Sequence, residues 1–293
     1  MVGYLSAIWG PKSADLGYAI WQIRLPRFGL AALLGAALGL AGLAIQLATR
    51  NPLSEPELLG INQSAVFAVC ATLLLTGSSL APGAMIAVAL VGGLFGGGAI
   101  LVLSSSPKMT RDRLILAGLT LAFFFGSASH GMLLLRDSDL FELLHWTAGK
   151  LSGADTLDLK LAATALFLAV SLAFLRVTQW NVLELGDDSA RSLGLDPVGR
   201  RVELIAIAVV LCAVTVALAG PIGFVGLMVP HLARWMVGLD HTRVLPITLV
   251  LGAFLVSAAD LLARTAAQPV EIPVGVVTAL IGAPYFLYRA GRL

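Results

Sequence analysis

Four carboxylates and three guanidiniums fall within Val182–Arg201 of a chain that is otherwise strongly apolar. They are Glu184, Asp187, Asp188 and Asp196, with Arg191, Arg200 and Arg201. The segment carries helix-start chemistry and ends in a turn containing Pro197. Charges on one side and Leu183, Leu185, Leu193 and Leu195 on the other suit a docking surface for a soluble partner. Such a surface passes force or a signal and makes no covalent bond.

The other residues able to do chemistry are few. Arg24-Leu-Pro-Arg27 stands just before the first apolar run, with Pro26 placed where a helix start tolerates its missing N–H. Asp260 and Arg264 are four apart, so they pair on one helix face. Otherwise the apolar interiors hold almost no ionisable group, which counts against a proton- or sodium-coupled carrier acting alone. The histidines, His130, His145, His231 and His241, are scattered, and no catalytic constellation forms. His231 follows Pro230 and has a structural or capping place. Lysine occurs only at positions 12, 108, 150 and 160, none of them in a phosphate-binding loop, so the chain does not hydrolyse ATP itself. Cys70 and Cys212 lie in apolar runs as small buried hydrophobes, and no metal site follows from the sequence.

The elements that must position these groups are membrane helices. Of 293 residues 58% are hydrophobic and 12% charged, where soluble domains average roughly 25% charge. Mean hydropathy is +0.91. With 31 glycines and 7% aromatics, closely packed helices fit better than an aromatic-girdled barrel. Nine apolar runs approach spanning length: Phe28–Ala48, Leu58–Leu75, Gly83–Leu103, Leu114–Leu135, Leu159–Leu175, Val202–Ala219, Ile222–Val237, Pro246–Ala263 and Pro273–Tyr288. Leu140–Lys150 reads as a shorter amphipathic stretch at an interface. Residues 1–27 form a segment of mixed polarity without a signal-peptide core, and 28–293 one transmembrane domain. Small-xxx-small pairs at Gly35/Gly39, Gly92/Gly96 and Gly93/Gly97 let helix backbones approach closely.

Counting Lys and Arg over alternate loops places twelve on the side of Arg50 and the charged segment and seven on the side of Arg24 and Arg27. The positive-inside rule puts the first group, and the C-terminus, in the cytoplasm. The N-terminus then faces outward.

Two further stretches are broken by glycine and proline: Gly220-Pro-Ile-Gly-Phe-Val-Gly-Leu-Met-Val-Pro-His231 and Glu271-Ile-Pro-Val-Gly-Val-Val-Thr-Ala-Leu-Ile-Gly-Ala-Pro284. Irregular backbone at membrane depth is tolerated only against protein or a cavity. A third, Arg50-Asn-Pro-Leu-Ser-Glu-Pro-Glu-Leu-Leu-Gly60, has two prolines that force a sharp re-entry. Together with R-L-P-R at 24–27, L-S-G-A-D at 151–155, G-x-x-x-A-R-x-L-G at 186–194 and A-D-x-x-A-R at 259–264, these run in one order through the chain. In that set the sequence resembles the FecCD-type permeases, membrane subunits of ABC importers for iron–siderophores, haem and vitamin B12.

The resemblance implies an all-α polytopic membrane protein with the type II ABC importer fold. Such subunits usually have ten helices and pair around a central path; nine are expected here, the first being absent. It implies that Leu185, Gly186, Asp188, Ala190, Arg191, Leu193 and Gly194 belong to coupling helices seated in a cytoplasmic ATPase. Arg24, Arg27 and Arg264 are implied at the outer rim, pairing with glutamates of a periplasmic binding protein. Gly223, Phe224, Gly226, Pro230 and Thr110 are implied near the path or its gate, although the charges of Lys108–Arg113 depart from the small hydroxyl residues of some relatives. The partners implied are ATPase subunits, the binding protein and a second permease subunit, identical or paralogous, in a bacterial inner membrane. No cofactor is expected on this chain, ATP being used by the partner. A ferric siderophore is the expected cargo, with haem or cobalamin as alternatives. A stand-alone secondary carrier and a truncated, non-transporting permease are the competing readings.

Overall fold

The computed structural model describes residues 15–77, 80–106, 109–135, 146–267 and 270–290, and these are helical apart from their connections. In chain order the helices are α1 (Leu25–Thr49), α2 (Ile61–Thr76), α3 (Pro82–Ser104), α4 (Arg111–Leu133), α5 (Thr156–Glu184), α6 (Asp187–Ser192), α7 (Pro197–Ala219), α8 (Val225–Val237), α9 (His241–Thr265) and α10 (Val274–Ala290). Most of the 140–150 stretch lies outside the described residues, as do 1–14.

Six of these helices are long and apolar enough to cross a membrane: α1 with its preceding turns, α3, α4, α5, α7 and α9. The other three apolar runs give shorter helices. The run Ile222–Val237 is not one continuous span. Only Val225–Val237 is helical, and thirteen residues rise about 20 Å, short of a bilayer core. Gly220–Phe224 ahead of it is irregular, because Gly220 and Phe224 take left-handed φ values of 72° and 66°.

Pro26 does not start its helix. The chain is already helical from Asp15 and widens into a π-helical stretch, Ala19–Arg24, before α1. A proline ring clashes with the carbonyl four residues back, here Gln22; the π stretch opens the ladder at that point. The helix therefore runs unbroken past residues 27 and 28.

Two helices form the centre. In the most apolar window of α1 78% of residues are buried, and in that of α7 72%, against 22–39% for α3, α4, α5 and α9. α1 packs against α5, α7, α8 and α9. Glycines set the spacing. A Cβ on Gly35 would sit 2.2 Å from the Gly252 carbonyl oxygen of α9, and one on Gly42 would sit 2.0 Å from that of Gly226 in α8. The two overlapping pairs of α3 serve different neighbours. Gly92 and Gly96 meet Ala68 and Ser64 of α2, while Gly93 and Gly97 meet Ala213 and Val209 of α7. One residue of offset turns a helical face by about 100°, which is why a doubled glycine pair can seat two helices.

Candidate functional site

The charged segment is helical for most of its length. Val182–Glu184 is the last turn of α5, Asp187–Ser192 is α6, and Pro197 opens α7 behind an Asp196 cap that accepts from the Val198 and Gly199 N–H groups. Between α5 and α6 Gly186 adopts φ 122° and ψ 154°, a region that only glycine enters without strain. This corner turns α6 away from the axis of α5.

α6 has two faces. Ala190 is buried, whereas Leu185, Asp188, Arg191 and Leu193 are exposed, Asp188 and Arg191 pairing with each other at 3.0 Å. The charge that holds α6 to the bundle is Asp187, 23% exposed. Its carboxylate receives Arg111 from the first turn of α4 at 2.7 Å, Arg50 from the end of α1 at 3.2 Å and Arg201 from α7 at 3.8 Å. Arg50 also donates to the Leu183 carbonyl at 2.6 Å, and Arg201 to that of Met109 at 3.0 Å. Three guanidiniums thus share one carboxylate, and among the described residues the buried Nε atoms of Arg50 and Arg111 find no hydrogen-bond partner. Burial pulls Arg50 below its ordinary pKa, and the neighbouring Arg111 adds to that pull. Asp187 counts among the acids of the segment but not among the residues that the family resemblance implies for coupling. The four residues that meet here are distant in the chain, so no local spacing marks them.

At the far end of α1, about 34 Å away by helix rise, a second charge cluster is balanced. Arg27 engages Asp260 of α9 through Nε at 2.9 Å and Nη2 at 2.8 Å, and Glu271 through Nη1 at 2.9 Å. Arg264 meets the same Asp260 at 3.2 Å. The i,i+4 pair expected on α9 is present, but Asp260, 1% exposed, is held chiefly by Arg27. Arg27 is itself buried. Its guanidinium is held by both carboxylates and largely shielded from solvent, so it does not lie at the rim as a free contact. Arg24 is exposed and Arg264 partly so.

Between the two ends lies the broken segment. Pro230 cannot donate to the Gly226 carbonyl four residues earlier; Gln46 of α1 supplies that hydrogen bond at 3.1 Å and another to Leu227 at 3.2 Å. The Phe224 N–H donates to the Glu55 carboxyl. A Cβ on Gly223 would press on Glu57 at 2.6 Å, and one on Gly282 would press on the Phe224 side chain at 2.4 Å. Gly223, Phe224, Gly226 and Pro230 therefore form one packed corner against α1, α10 and the re-entrant 50–60 turn. Desolvation, aided by Glu57, pushes the Glu55 carboxyl up to about 8 against the opposing pull of the Phe224 N–H. The scarcity of ionisable groups expected from the apolar runs thus overlooked Glu55 and Glu57, which enter from a turn. Thr110 stands apart from this corner. It caps α4, accepting from the Arg113 N–H, next to the Asp187 cluster.

Comparison with known proteins agrees with this architecture. Residues 3–292 match the model of the FecCD transport family. The chain is 38% identical to the Fe(3+)-citrate import system permease protein YfmD of Bacillus subtilis over 97% of its own length and 84% of that protein's. It is 37% identical to the hemin transport system permease protein HmuU of Yersinia pestis, covering 96% and 86%. With the vitamin B12 import system permease protein BtuC of Vibrio cholerae the identity is 36%, covering 93% and 82%. A solved inward-facing structure described as a metal-chelate type ABC transporter superposes with a TM-score of 0.86 at 27% identity, covering 99% of this chain and 96% of that one. With its ordered motifs, its helical bundle and a family match over nearly its whole length, the chain belongs to the FecCD transport family, as a multi-pass permease subunit of an ABC importer.

Proposed function

We propose that this permease carries a ferric chelate, with a ferric siderophore or ferric citrate as cargo, and that cytoplasmic ATPase subunits drive it through α6. The observation that carries the reading is the division of α6 into an outward face and an inward anchor. Leu185, Asp188, Arg191 and Leu193 are open to a partner, while Asp187 ties the same six residues to α1, α4 and α7. A push on the outer face reaches three helices through one carboxylate. Gly186 and Gly194 are the corners on which such a short helix pivots. Relatives named for ferric citrate, hemin and vitamin B12 support a metal chelate as the cargo class.

The α6 end is then cytoplasmic, as is the C-terminal end of α10, because α10 begins beside Arg27 at the opposite end. The Arg27 end receives a substrate-binding protein. There Arg24 offers an exposed guanidinium able to take a carboxylate bidentately, Arg264 a partly exposed one, and Arg27 braces the rim from beneath. A second permease subunit, identical or paralogous, completes the path in the inner membrane. Haem or cobalamin is the alternative cargo.

Uptake of radioactive iron, as ferric citrate and as a ferric siderophore, into proteoliposomes holding the permease tests this. Uptake is expected only with the ATPase and ATP present, and to rise with the binding protein. Iron uptake persisting without any ATPase would overturn the reading in favour of a carrier acting alone. Partner binding without movement of any chelate, haem or cobalamin would overturn it in favour of a scaffold.

A further inference from the structure

A cavity of about 380 Å³ opens at the α6 end, between the ends of α1 and α5 and the α8–α9 corner. Its lining includes Arg50, Arg234, Glu184, Gln46 and Leu239. Arg50 is already committed to Asp187 and the Leu183 carbonyl, although among the described residues its Nε has no partner. Arg234 differs. Its guanidinium donates to the Gln46 side-chain oxygen, and among the described residues it makes no ion pair. Gln46 is itself fixed by its bonds to the Gly226 and Leu227 carbonyls, so Arg234 is held in place by a neutral partner. The charge of Glu184, in the same lining, acts on both arginines, but among the described residues no carboxylate comes within ion-pair distance of Arg234. A half-buried guanidinium held only by a neutral partner keeps donors for an external anion.

The second guanidinium across the cavity favours a group with several acceptor oxygens over a single-point anion. Glu184 lines the same cavity and opposes a bare anion, but it suits a ligand carrying a hydroxyl or ammonium beside its negative group. Leu239, exposed and part of the lining, supplies an apolar rim.

We propose that this cavity is a binding site for a phosphate group, held between Arg234 and Arg50, carried by an anionic or zwitterionic phospholipid headgroup or present as a free phosphate. The proposal does not depend on which chelate is moved. A ligand there joins α1, α5, α8 and α9 at the level where α6 attaches, so its occupancy adjusts how firmly the α5–α6 corner is held.

The test has two arms on the purified, detergent-solubilised permease. Native mass spectrometry reads retained phospholipid after extraction from a membrane of mixed phosphatidylglycerol and phosphatidylethanolamine. Thermal unfolding with inorganic phosphate, against chloride at equal ionic strength, reads the free anion. Phosphate binding is expected in at least one arm, retention alone identifying a headgroup and stabilisation alone a free ion. Arg234→Gln should weaken it about tenfold, the loss of one charge-assisted bond, while Arg234→Lys retains part of it. Leu239→Asp adds a carboxylate to the exposed rim without touching the core, and should abolish binding even if Arg234→Gln folds poorly. Absence of binding in both arms would overturn the proposal. So would equal stabilisation by chloride, or binding unchanged in Arg234→Gln and Leu239→Asp.

Discussion

The two ends of α1 solve the same problem differently. At the Arg27 end, two arginines and two carboxylates balance, and the shared Asp260 is sealed from solvent. At the α6 end, three arginines share Asp187, which stays partly wet, and two buried guanidinium nitrogens go unpartnered among the described residues. A balanced cluster built on a sealed pair resists rearrangement, because movement strands the buried Asp260 or Arg27. An unbalanced, partly hydrated one exchanges partners at lower cost, since water and the remaining charges take over. The first suits a brace and the second a joint that moves.

The largest effect expected from breaking this contrast is at the brace. Asp260→Asn leaves Arg27 buried with Glu271 alone and should cost about 3 kcal/mol, the range for stranding one partner of a buried pair. Thermal unfolding of the purified permease measures it, and a loss below about 1 kcal/mol would remove the distinction between the ends. Asp187→Asn should cost less stability, about 1–2 kcal/mol given its partial exposure, yet cut ATP-driven uptake at least tenfold while the ATPase still copurifies. Asp187→Glu should restore part of the uptake. Loss of copurification together with uptake would make Asp187 an assembly residue instead of a joint.

A smaller, pH-dependent effect belongs to the corner between the ends. The folded Glu55 carboxyl holds its proton up to about 8, well above its ordinary value. Its contribution to stability is fully present below that ordinary value and is lost as pH rises through about 8. The unfolding temperature should fall across this interval in the native chain and stay flatter in Glu55→Gln. The smallest effect is on the rim: Arg24→Glu should leave stability within about 0.5 kcal/mol while weakening capture of the binding protein, read by pull-down.

Among the described residues the apolar runs located nine of the ten numbered helices, the polar α6 being the exception, but their ends were placed less well. α5 extends from Thr156 to Glu184, well beyond the run Leu159–Leu175, because Asp155 and Asp158 form a capping box at one end and polar residues continue the helix at the other. Hydropathy registers the lipid-facing part of a helix and not the turns held by caps. In the charged segment, the exposed Asp188 and Arg191 and the buried Ala190 carry the family spacing, yet the anchor is their neighbour Asp187. Which of two adjacent aspartates faces inward depends on the angle at Gly186, and that angle is set by packing.

By itself the sequence determined the class of molecule, its family and the composition of its joints: apolar length demands helices, glycine spacing demands close crossings, and the ordered motifs identify the permease. Only the tertiary structure decided who meets whom. Arg27 and Arg264 share one carboxylate, and Arg50, Arg111 and Arg201 share another, across separations that no local pattern encodes. Charge pairing falls off within a few ångströms in a screened environment, so it follows the three-dimensional crossing of helices and not the order of residues along the chain.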